Sequence, residues 1–316
     1  MTMRPALRQY RAWTSDSRRW DAYRPRPDDI VIATYPKSGT TWMQQIVGLL
    51  VFASPEPRPI GDISPWLDRR FGGPVEDVIR QLDGQTHRRF IKSHTPFDGM
   101  PIHGEVKYIH VARDGRDACL SFHNHSRGMR EQLLAAGDKI GLDDPLLAAP
   151  MPRPPADPRE FFHRWMTQGV GGASDGLPAF SWFNFEATYW QARAQPNLLL
   201  VHYSDLKADL EAEMRRIAGF LAIEIPPDLW PLLVKAATFT EMRKTAETTH
   251  PNTMKLFKGG AEGFFHKGEN DRWKGVLSDD DLALFEAACR SRLSAACAAW
   301  LAGGRRASGD PKVAAD

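Results

Sequence analysis

Cysteine is scarce in this chain. Its 316 residues include three cysteines, Cys119, Cys289 and Cys297, and no two of them have the CxxC spacing of zinc and redox motifs. This argues against both a disulfide framework and a zinc site, and it fits a reducing cytoplasm. We therefore expect a cytoplasmic protein without a bound metal. Cys289 and Cys297 fall on the apolar stripe of one predicted helix, so we expect buried thiols there.

Long apolar runs and an excess of charge are also missing. No apolar run approaches the length of a membrane span, and the N-terminus lacks the apolar core of a signal peptide. The net charge is +2, so the composition gives no global reason to bind nucleic acid or an anionic membrane. We expect no membrane span and no nucleic-acid partner. Any anion-binding site must come from a local cluster of charge.

Four short apolar segments have the composition of buried β-strands, at residues 30–33, 89–93, 106–111 and 197–203. Helical patterns separate them, which is typical of a parallel sheet covered by helices on both faces. The sequence therefore predicts an α/β fold. We expect a single three-layer domain with a central, mostly parallel sheet flanked by helices.

The rest of the chain divides by composition. Residues 1–28 are rich in arginine and predict an N-terminal arm packed on the domain, which spans residues 29–302. Residues 303–316 predict a disordered tail. Residues 133–158 lack periodicity and predict a mobile loop of the kind that covers binding sites.

The segment YPKSGTTW at residues 35–42 is the most informative in the chain. It joins the first predicted strand to a helical pattern through a turn that contains glycine and hydroxyls. The first-turn amides of such a helix lack intrahelical partners, and the helix dipole favours an anion there. Lys37 adds a mobile positive charge, and Thr40 and Thr41 add hydroxyl donors. This segment therefore predicts a phosphate-binding loop.

The order of residues distinguishes this loop from a Walker A loop. In the Walker A pattern GxxxxGK[ST], lysine stands directly before the hydroxyl residue. Here Lys37 precedes the glycine and Trp42 closes the segment. The pattern resembles the P-loop-like phosphosulfate loop of the cytosolic-type sulfotransferases, which use 3′-phosphoadenosine 5′-phosphosulfate (PAPS) and release adenosine 3′,5′-bisphosphate (PAP). The resemblance implies that PAPS contacts Lys37, Ser38, Gly39, Thr40, Thr41 and Trp42.

A second candidate anion site follows the third predicted strand. Arg113 stands at its carboxyl end, where open α/β sheets place ligands, and Ser121 follows eight residues later. A guanidinium can bind phosphate through two hydrogen bonds, and a serine at a helix start can reach the same oxygens. The pair resembles the family's 3′-phosphate motif, which implies that both residues bind the 3′-phosphate of PAPS. Without the resemblance, a charged surface turn that includes Asp117 remains open.

A third segment, FFHKGENDRWK at residues 264–274, contains the lysine and glycine that a flexible phosphate-covering loop needs. It resembles the family's RKGxxGDWK loop, which implies donor contacts from Lys267 and Gly268. It also departs from that pattern: His266 replaces an arginine that contacts the 3′-phosphate, Asp271 replaces the second glycine, and Arg272 replaces the aspartate. We expect a weaker contact at His266 unless Lys267 or Arg272 compensates. A basic surface loop is the alternative.

The predicted base is His94, in the segment IKSHTP at residues 91–96. The segment resembles the family's KTHxP element, whose histidine is the general base. Transfer to a hydroxyl needs a proton acceptor, and an imidazole with an ordinary pKa of about 6.5 suits that role. With His94, the predicted catalytic set contains Lys37 at the leaving oxygen and Lys92 beside the transferring group.

Aromatic residues and a threonine complete the predicted donor site. Tyr203, Thr238 and Phe239 match family positions around the adenosine, which implies that Phe239 and Trp42 flank the adenine. By spacing alone, these aromatics are equally good core residues.

The acceptor is less well defined by the sequence. Trp66, Phe71, Phe97 and residues 133–158 predict an apolar pocket, which favours phenols, sterols or other lipophilic alcohols over sugars. His123 and His125 lie two residues apart, which splays their side chains on a helix, so we expect no shared metal. One of the two histidines is a candidate for the acceptor pocket.

Together these segments predict a PAPS-dependent sulfotransferase that acts by in-line transfer on a hydroxyl or amine of a small, lipophilic molecule. Two alternatives remain: a P-loop-type nucleotide or small-molecule kinase, and a nucleotide-binding scaffold without catalysis. The family's dimerisation motif would begin at Lys274 but is degenerate here, which leaves the oligomeric state open.

Overall fold

The fold is built around a four-stranded parallel sheet. The computed structural model describes residues 3–168, 181–265 and 268–316. Its strands are β1 (Met3–Arg4), β2 (Ile30–Thr34), β3 (Phe90–Ser93), β4 (Ile102–His103), β5 (Lys107–Ala112) and β6 (Leu198–His202). The central sheet has the order β3-β2-β5-β6, and β1 pairs with β4 in a separate antiparallel ribbon.

The strand order places a ligand crevice beside β2. The chain leaves β2 toward β3 on one side and then returns to β5 on the other, and β5 leads on to β6. In the parallel register, Ala33 lies opposite Ser93 and His110, so the carboxyl ends of these strands reach one edge of the sheet. The reversal between β2 and β5 is a topological switch point, the position at which open α/β sheets bind ligands.

Helices cover both faces of the sheet. They are α1 (Thr40–Phe52), α2 (Ile60–Ile63), α3 (Val75–Asp83), α4 (Gly115–Gly128), α5 (Glu131–Asp143), α6 (Pro158–Gln168), α7 (Trp182–Gln191), α8 (Tyr203–Ala208), α9 (Leu210–Leu221), α10 (Trp230–Ala236), α11 (Phe239–Lys244), α12 (Ala246–Thr249), α13 (Pro251–Met254), α14 (Gly260–Phe264), α15 (Asp279–Arg292), α16 (Ala295–Gly303) and α17 (Arg305–Ser308). Short 3-10 turns lie at Ser17–Ala22, Phe97–Gly99, Pro227–Leu229 and Pro311–Val313.

Alternation along β2 divides the core into two layers. Ile30 and Ile32 pack with α1, α9 and α10, whereas Val31 and Ala33 pack on the opposite face with α6, α7 and α15. Successive residues of a strand point to opposite faces, so a strand that is covered on both sides is apolar throughout. All five residues of β2 are buried. The predicted three-layer α/β architecture is confirmed.

The N-terminal segment packs onto the layer formed by α6, α7 and α15. Trp20 and Tyr23 are almost fully buried in that cluster. The Tyr23 hydroxyl donates to Asp29 Oδ2 at 2.7 Å, and Arg89 Nε donates to Asp29 Oδ1 at 2.8 Å. These contacts fix the start of β2.

The region predicted as a mobile loop at residues 133–158 is in part a helix. α5 covers Glu131–Asp143, and its buried positions are Gly137 and Gly141. A Cβ on Gly141 would lie 2.2 Å from Trp13 Nε1, so the contact face has to be glycine. The fully buried positions of α5 are both glycines, which weakens the apolar stripe that would mark a helix in the sequence.

The C-terminal region differs from its prediction twice. The single helix predicted to carry Cys289 and Cys297 is interrupted at Leu293, and Ser294 caps α16 by accepting from Cys297 N at 3.3 Å. Residues 303–316 form α17 and a 3-10 turn rather than the predicted disordered tail. Asp316 Oδ1 accepts from Trp190 Nε1 at 2.8 Å, a tertiary contact that composition does not reveal.

None of the helices within the described ranges has both the length and the apolar composition needed to cross a membrane.

Candidate active site

A large cavity of about 480 Å³ opens at the carboxyl edge of the sheet. The loop after β2, the end of β5 and the segment after β3 meet there, and Lys37, Arg113 and His94 all line it. The topology therefore brings together three predicted motifs that are distant in sequence.

The loop between β2 and α1 has the geometry of an anion cradle. Lys37 and Gly39 have φ angles of 71° and 115°, in the left-handed region. A Cβ on Gly39 would lie 3.1 Å from Tyr203 Cδ2, so glycine suits this position in both conformation and space. The turn leaves the first amides of α1 free to face the cavity.

The hydroxyls of this loop differ in their surroundings. Ser38 is fully buried, and its Oγ has no hydrogen-bond partner among the described residues. Thr40 Oγ1 lies 2.5 Å from Thr34 Oγ1, which ties the helix start to β2. Thr41 lines the cavity. The Ser38 hydroxyl therefore has an open hydrogen-bonding capacity.

Lys37 is a half-buried cation among other cations. Its Nζ lies 3.3 Å from His125 Nδ1 and 5.3 Å from the centre of the Phe264 ring. Burial, followed by the charges of Arg113 and Lys92, lowers the pKa of Lys37 to about 7. An anion beside this ammonium would relieve that repulsion.

Arg113 connects the second motif to the first. It follows β5 directly, and its guanidinium lies 4.2 Å from the centre of the Tyr203 ring. Its Nη1 donates to the Lys37 carbonyl at 3.3 Å, and its Nη2 donates to the Glu269 carbonyl at 2.5 Å. Its Nε is buried without a partner among the described residues. Ser121, on α4, lines the same cavity.

The loop after α14 closes over this side of the cavity, although His266 and Lys267 lie outside the described residues. Gly268 has a φ of 64°, and a Cβ there would lie 2.7 Å from the Phe239 ring. Asp271, which stands where the family pattern has glycine, also adopts a left-handed φ of 61°. Arg272 reaches the cavity wall, and burial together with the charge of Arg113 lowers its pKa.

Asp117 anchors the loop after α14, a contact that the sequence does not predict. Its carboxylate accepts from Asp271 N at 2.9 Å and from Arg272 N at 2.8 Å. It lies in the first turn of α4 and is almost fully buried. The sequence names Asp117 only in the alternative of a charged surface turn, because the partner amides lie more than 150 positions away.

The aromatic residues predicted around the adenosine line the cavity. Trp42, Tyr203 and Phe239 are on its wall, and Trp42 Nε1 donates to the Ala237 carbonyl at 2.7 Å. Thr238 instead caps α11, with its Oγ1 donating to the Lys235 carbonyl at 2.8 Å, and it is not among the wall residues.

His94 has a defined proton arrangement. Its Nδ1 lies 2.7 Å from the Thr34 carbonyl. A carbonyl oxygen only accepts, so Nδ1 carries the hydrogen and Nε2 keeps its lone pair in the neutral ring. Burial, followed by the charge of Lys92, lowers the pKa of His94 well below its ordinary value. The ring is therefore neutral at physiological pH.

Asp68, also unpredicted, holds the segment around His94. It is fully buried, and its Oδ2 accepts from His94 N at 2.9 Å, from Ser93 Oγ at 3.1 Å and from Thr95 Oγ1 at 2.5 Å. Burial raises the pKa of Asp68. No motif surrounds this aspartate, so no local signal identified it.

Lys92 and the two histidines of α4 complete the site. Lys92 Nζ lies 4.3 Å from the centre of the Trp66 ring, and burial lowers its pKa to about 8. His125 lines the cavity, whereas His123 lies with Nε2 2.9 Å from the Pro155 carbonyl, outside the cavity wall. Within the described ranges, no three His, Cys, Asp or Glu side chains cluster as a metal site requires.

The far side of the cavity is apolar. Trp66, Phe71 and residues 151–155 line it, as predicted, and Trp13 and Trp165 extend the wall. Phe97 does not reach the cavity, because its ring packs in the core 6.0 Å from Tyr108 and 5.4 Å from Tyr189. The prediction that Phe97 shapes the pocket is wrong.

This fold and site define a class: an α/β enzyme with a phosphate-binding loop at a topological switch point. Residues 27–297 match the family model described as the sulfotransferase domain. The chain is 36% identical over 289 residues to the glycolipid sulfotransferase of Mycobacterium bovis (strain BCG / Pasteur 1173P2), covering 85% of this chain and 86% of that protein. It is 27% identical over 266 residues to human sulfotransferase 1E1, with 81% of each chain covered.

A solved structure has the same fold. Retinol dehydratase in complex with androsterone and inactive cofactor PAP aligns with a TM-score of 0.66 and 21% identity, covering 88% of this chain and 84% of that one. The family match and the mycobacterial relative place the chain plainly: it belongs to the sulfotransferase family and is a sulfotransferase.

Proposed function

We propose that this sulfotransferase moves the sulfuryl group of PAPS to a hydroxyl, or an amine, of a small lipophilic acceptor. His94 is the proposed base. The observation that carries the proposal is the joint placement of Lys37, Arg113 and an Nε2-unprotonated His94 on one cavity. In this proposal Lys37 and Arg113 bind the donor, and His94 activates the acceptor.

The residues present fit a bisphosphorylated adenosine. Ser38 Oγ and Arg113 Nε are buried and lack partners among the described residues, and Gly39 leaves the loop open where a side chain would fill it. In this proposal Lys37, the α1 amides and Ser38 hold the 5′ end. Arg113 and Ser121 hold the 3′-phosphate, and the donor's base lies by Trp42, Tyr203 and Phe239. PAPS supplies the activated sulfuryl group.

Arg272 compensates for the missing arginine of the loop in this proposal. His266, which replaces it, is not among the described residues, but the Arg272 side chain lines the cavity close enough to Arg113 for the two charges to interact. Two guanidinium groups on one wall suit a doubly charged phosphate.

The proposed chemistry assigns one task to each catalytic side chain. His94 Nε2 takes the proton of the acceptor hydroxyl while that oxygen forms the new bond to sulfur. Lys37 stabilises the negative charge left on the 5′-phosphate oxygen when the old sulfur–oxygen bond breaks. Lys92 reduces the repulsion between the sulfuryl oxygens and the attacking oxygen. Preorganised donors of this kind are the main source of rate enhancement in such transfers.

The apolar wall supports a lipophilic acceptor. Trp13, Trp66, Phe71 and Trp165 surround the space beyond His94. The mycobacterial relative is named for glycolipids, and the retinol dehydratase structure contains a steroid. We propose a lipophilic alcohol or phenol for this chain.

Transfer from labelled PAPS tests this function. The purified protein is incubated with labelled PAPS and a panel of phenols, sterols and glycolipids, without magnesium, and we expect a labelled sulfate ester from at least one of them. Phosphoryl transfer from ATP that requires magnesium would instead identify a kinase. PAP binding without turnover on any acceptor would identify a scaffold.

A further inference from the structure

We propose that the acceptor carries an anionic group and that Arg69, at the cavity mouth, binds it. This rests on the proposed function, because it defines the acceptor class of the same cavity. The acceptor would be an amphiphile with a hydroxyl, an apolar body and an oxyanion such as a carboxylate or phosphate.

The charged side chains that line the cavity, among the described residues, are all basic. Among its described residues there is no aspartate or glutamate, although the whole chain has 41 basic and 39 acidic side chains. The cations on the wall are Lys37, Arg69, Lys92, Arg113, Arg153, Arg164 and Arg272. A narrow cleft lined by one sign of charge concentrates ligands of the opposite sign.

The donor does not account for all of these cations. Its phosphates and sulfuryl group use the lysines and arginines nearest the phosphosulfate loop. The other arginines lie on the acceptor side, and two of them are paired: Arg153 Nη2 with Asp138 Oδ2 at 2.7 Å, and Arg164 with Glu160. Arg69 is different, because its guanidinium forms no salt bridge and no hydrogen bond with the described residues.

The position of Arg69 suits the mouth of the acceptor space. It directly follows Asp68, which holds His94, and its backbone bridges to Ser15. The guanidinium lies against Gly72, where a Cβ would be 2.8 Å from Arg69 Nη2. The residue as a whole remains exposed. Protein therefore orients the guanidinium while one side of it stays open.

The charge of Arg69 acts on a lysine inside the cavity. It contributes to the lowered pKa of Lys92, and partial burial lowers the pKa of Arg69 itself. Water solvates the open side of Arg69 in the free protein, and an oxyanion bound there would supply a countercharge and two hydrogen bonds. Trp66 and Phe71 line the same cavity as Arg69 and His94. In this proposal the acceptor hydroxyl lies at His94, its apolar body packs on Trp66 and Phe71, and its oxyanion binds Arg69.

The test compares matched acceptors and matched variants. A phenol with an alkyl carboxylate chain is compared with its uncharged methyl amide, and the ratio of kcat/KM for the two is measured. We expect the wild type to prefer the carboxylate and Arg69→Ala to reduce that preference about tenfold, mainly through KM, which corresponds to loss of one charged hydrogen-bonded pair. Arg69→Lys should restore part of it. Arg290→Ala, an exposed arginine away from the cavity, should keep the wild-type ratio.

Two outcomes would overturn the inference. One is a wild-type enzyme that uses the carboxylate and the amide equally well, and the other is an unchanged ratio in Arg69→Ala. Calorimetric binding of the carboxylate to the PAP-bound protein gives a readout that does not need turnover. Equal affinity of the wild type and Arg69→Ala for the carboxylate would reject the role of Arg69, whether or not the protein transfers sulfuryl groups. Failure of transfer to every acceptor would instead reject the proposed function.

Discussion

At the scale of single residues, one backbone carbonyl decides the chemistry of His94. The Thr34 carbonyl fixes the hydrogen on Nδ1, which leaves Nε2 as the basic atom, and the lowered pKa keeps the ring neutral. We expect His94→Ala to reduce kcat by about 100- to 10,000-fold, the usual contribution of a positioned base. Steady-state kinetics with PAPS measures it.

The binding of PAP separates a catalytic from a structural role for His94. PAP affinity of His94→Ala should stay close to that of the wild type, because the proposed base contacts the acceptor rather than PAP. His87→Ala is the matched control, since His87 packs on Phe52 outside the cavity. A large loss of PAP affinity in His94→Ala would mean that the imidazole supports the fold of the site instead.

The lowered pKa of Lys37 predicts that donor binding depends on pH. With a pKa of about 7 in the free protein, this lysine is largely neutral at pH 8. The donor's phosphates favour the charged ammonium, so they raise the pKa and binding takes up a proton. PAP affinity should therefore fall as pH rises from 7 to 9. A phosphate monoester has its second pKa near 6, so the donor itself does not titrate in that range.

Calorimetry in buffers of different ionisation enthalpy measures this proton uptake. Lys37→Met should abolish most of it, which separates Lys37 from Lys92, whose pKa is about 8. Equal uptake in wild type and Lys37→Met would assign the titration to another group.

At the scale of elements, Asp117 couples α4 to the loop after α14, which is proposed to cover the donor. Removing its carboxylate in Asp117→Ala leaves the amides of Asp271 and Arg272 without acceptors. A lost hydrogen bond to a charged group costs about 1.5–3 kcal/mol, so we expect KM for PAPS to rise at least about tenfold. Asp117→Asn retains an acceptor oxygen and should lose less. Asp280→Ala, an exposed carboxylate of α15, should behave as the wild type. An unchanged KM in Asp117→Ala would contradict the coupling.

The elements also show which features of the fold and site can be predicted from the sequence and which cannot. The strand, turn and helix around Lys37 are contiguous, so their spacing alone predicts the phosphate loop. Asp68 and Asp117 act through amides that are distant in sequence, and a pattern without a motif cannot reveal them. α5 was not predicted because its most buried positions are glycines, which weakens the apolar pattern. The ordered C-terminal segment was not predicted because its contact with Trp190 is distant in sequence.

At the scale of the whole molecule, the strand order brings the separate motifs together. The loops after β2 and β5 meet because these strands are neighbours at the point where the chain reverses direction. The hydrogen bond from Arg113 to the Lys37 carbonyl joins the two loops directly. One ligand can therefore hold both loops at once, and its binding should stabilise the whole domain.

Differential thermal stabilisation tests whether one ligand binds both loops. At 100 times its Kd, PAP should add about 2.7 kcal/mol, which raises Tm by roughly 4 °C in a domain of this size. ADP lacks the 3′-phosphate that Arg113 and Ser121 are proposed to bind, so it should stabilise less at the same concentration, and magnesium should not be needed. Arg113→Ala should remove most of the difference between PAP and ADP, whereas Arg290→Ala should retain it. At the ribose 3′ position only PAP carries a phosphate, and this is the group that Arg113 and Ser121 are proposed to bind. Equal Tm shifts with PAP and ADP in the wild type would therefore show that the loop after β5 does not contact the ligand.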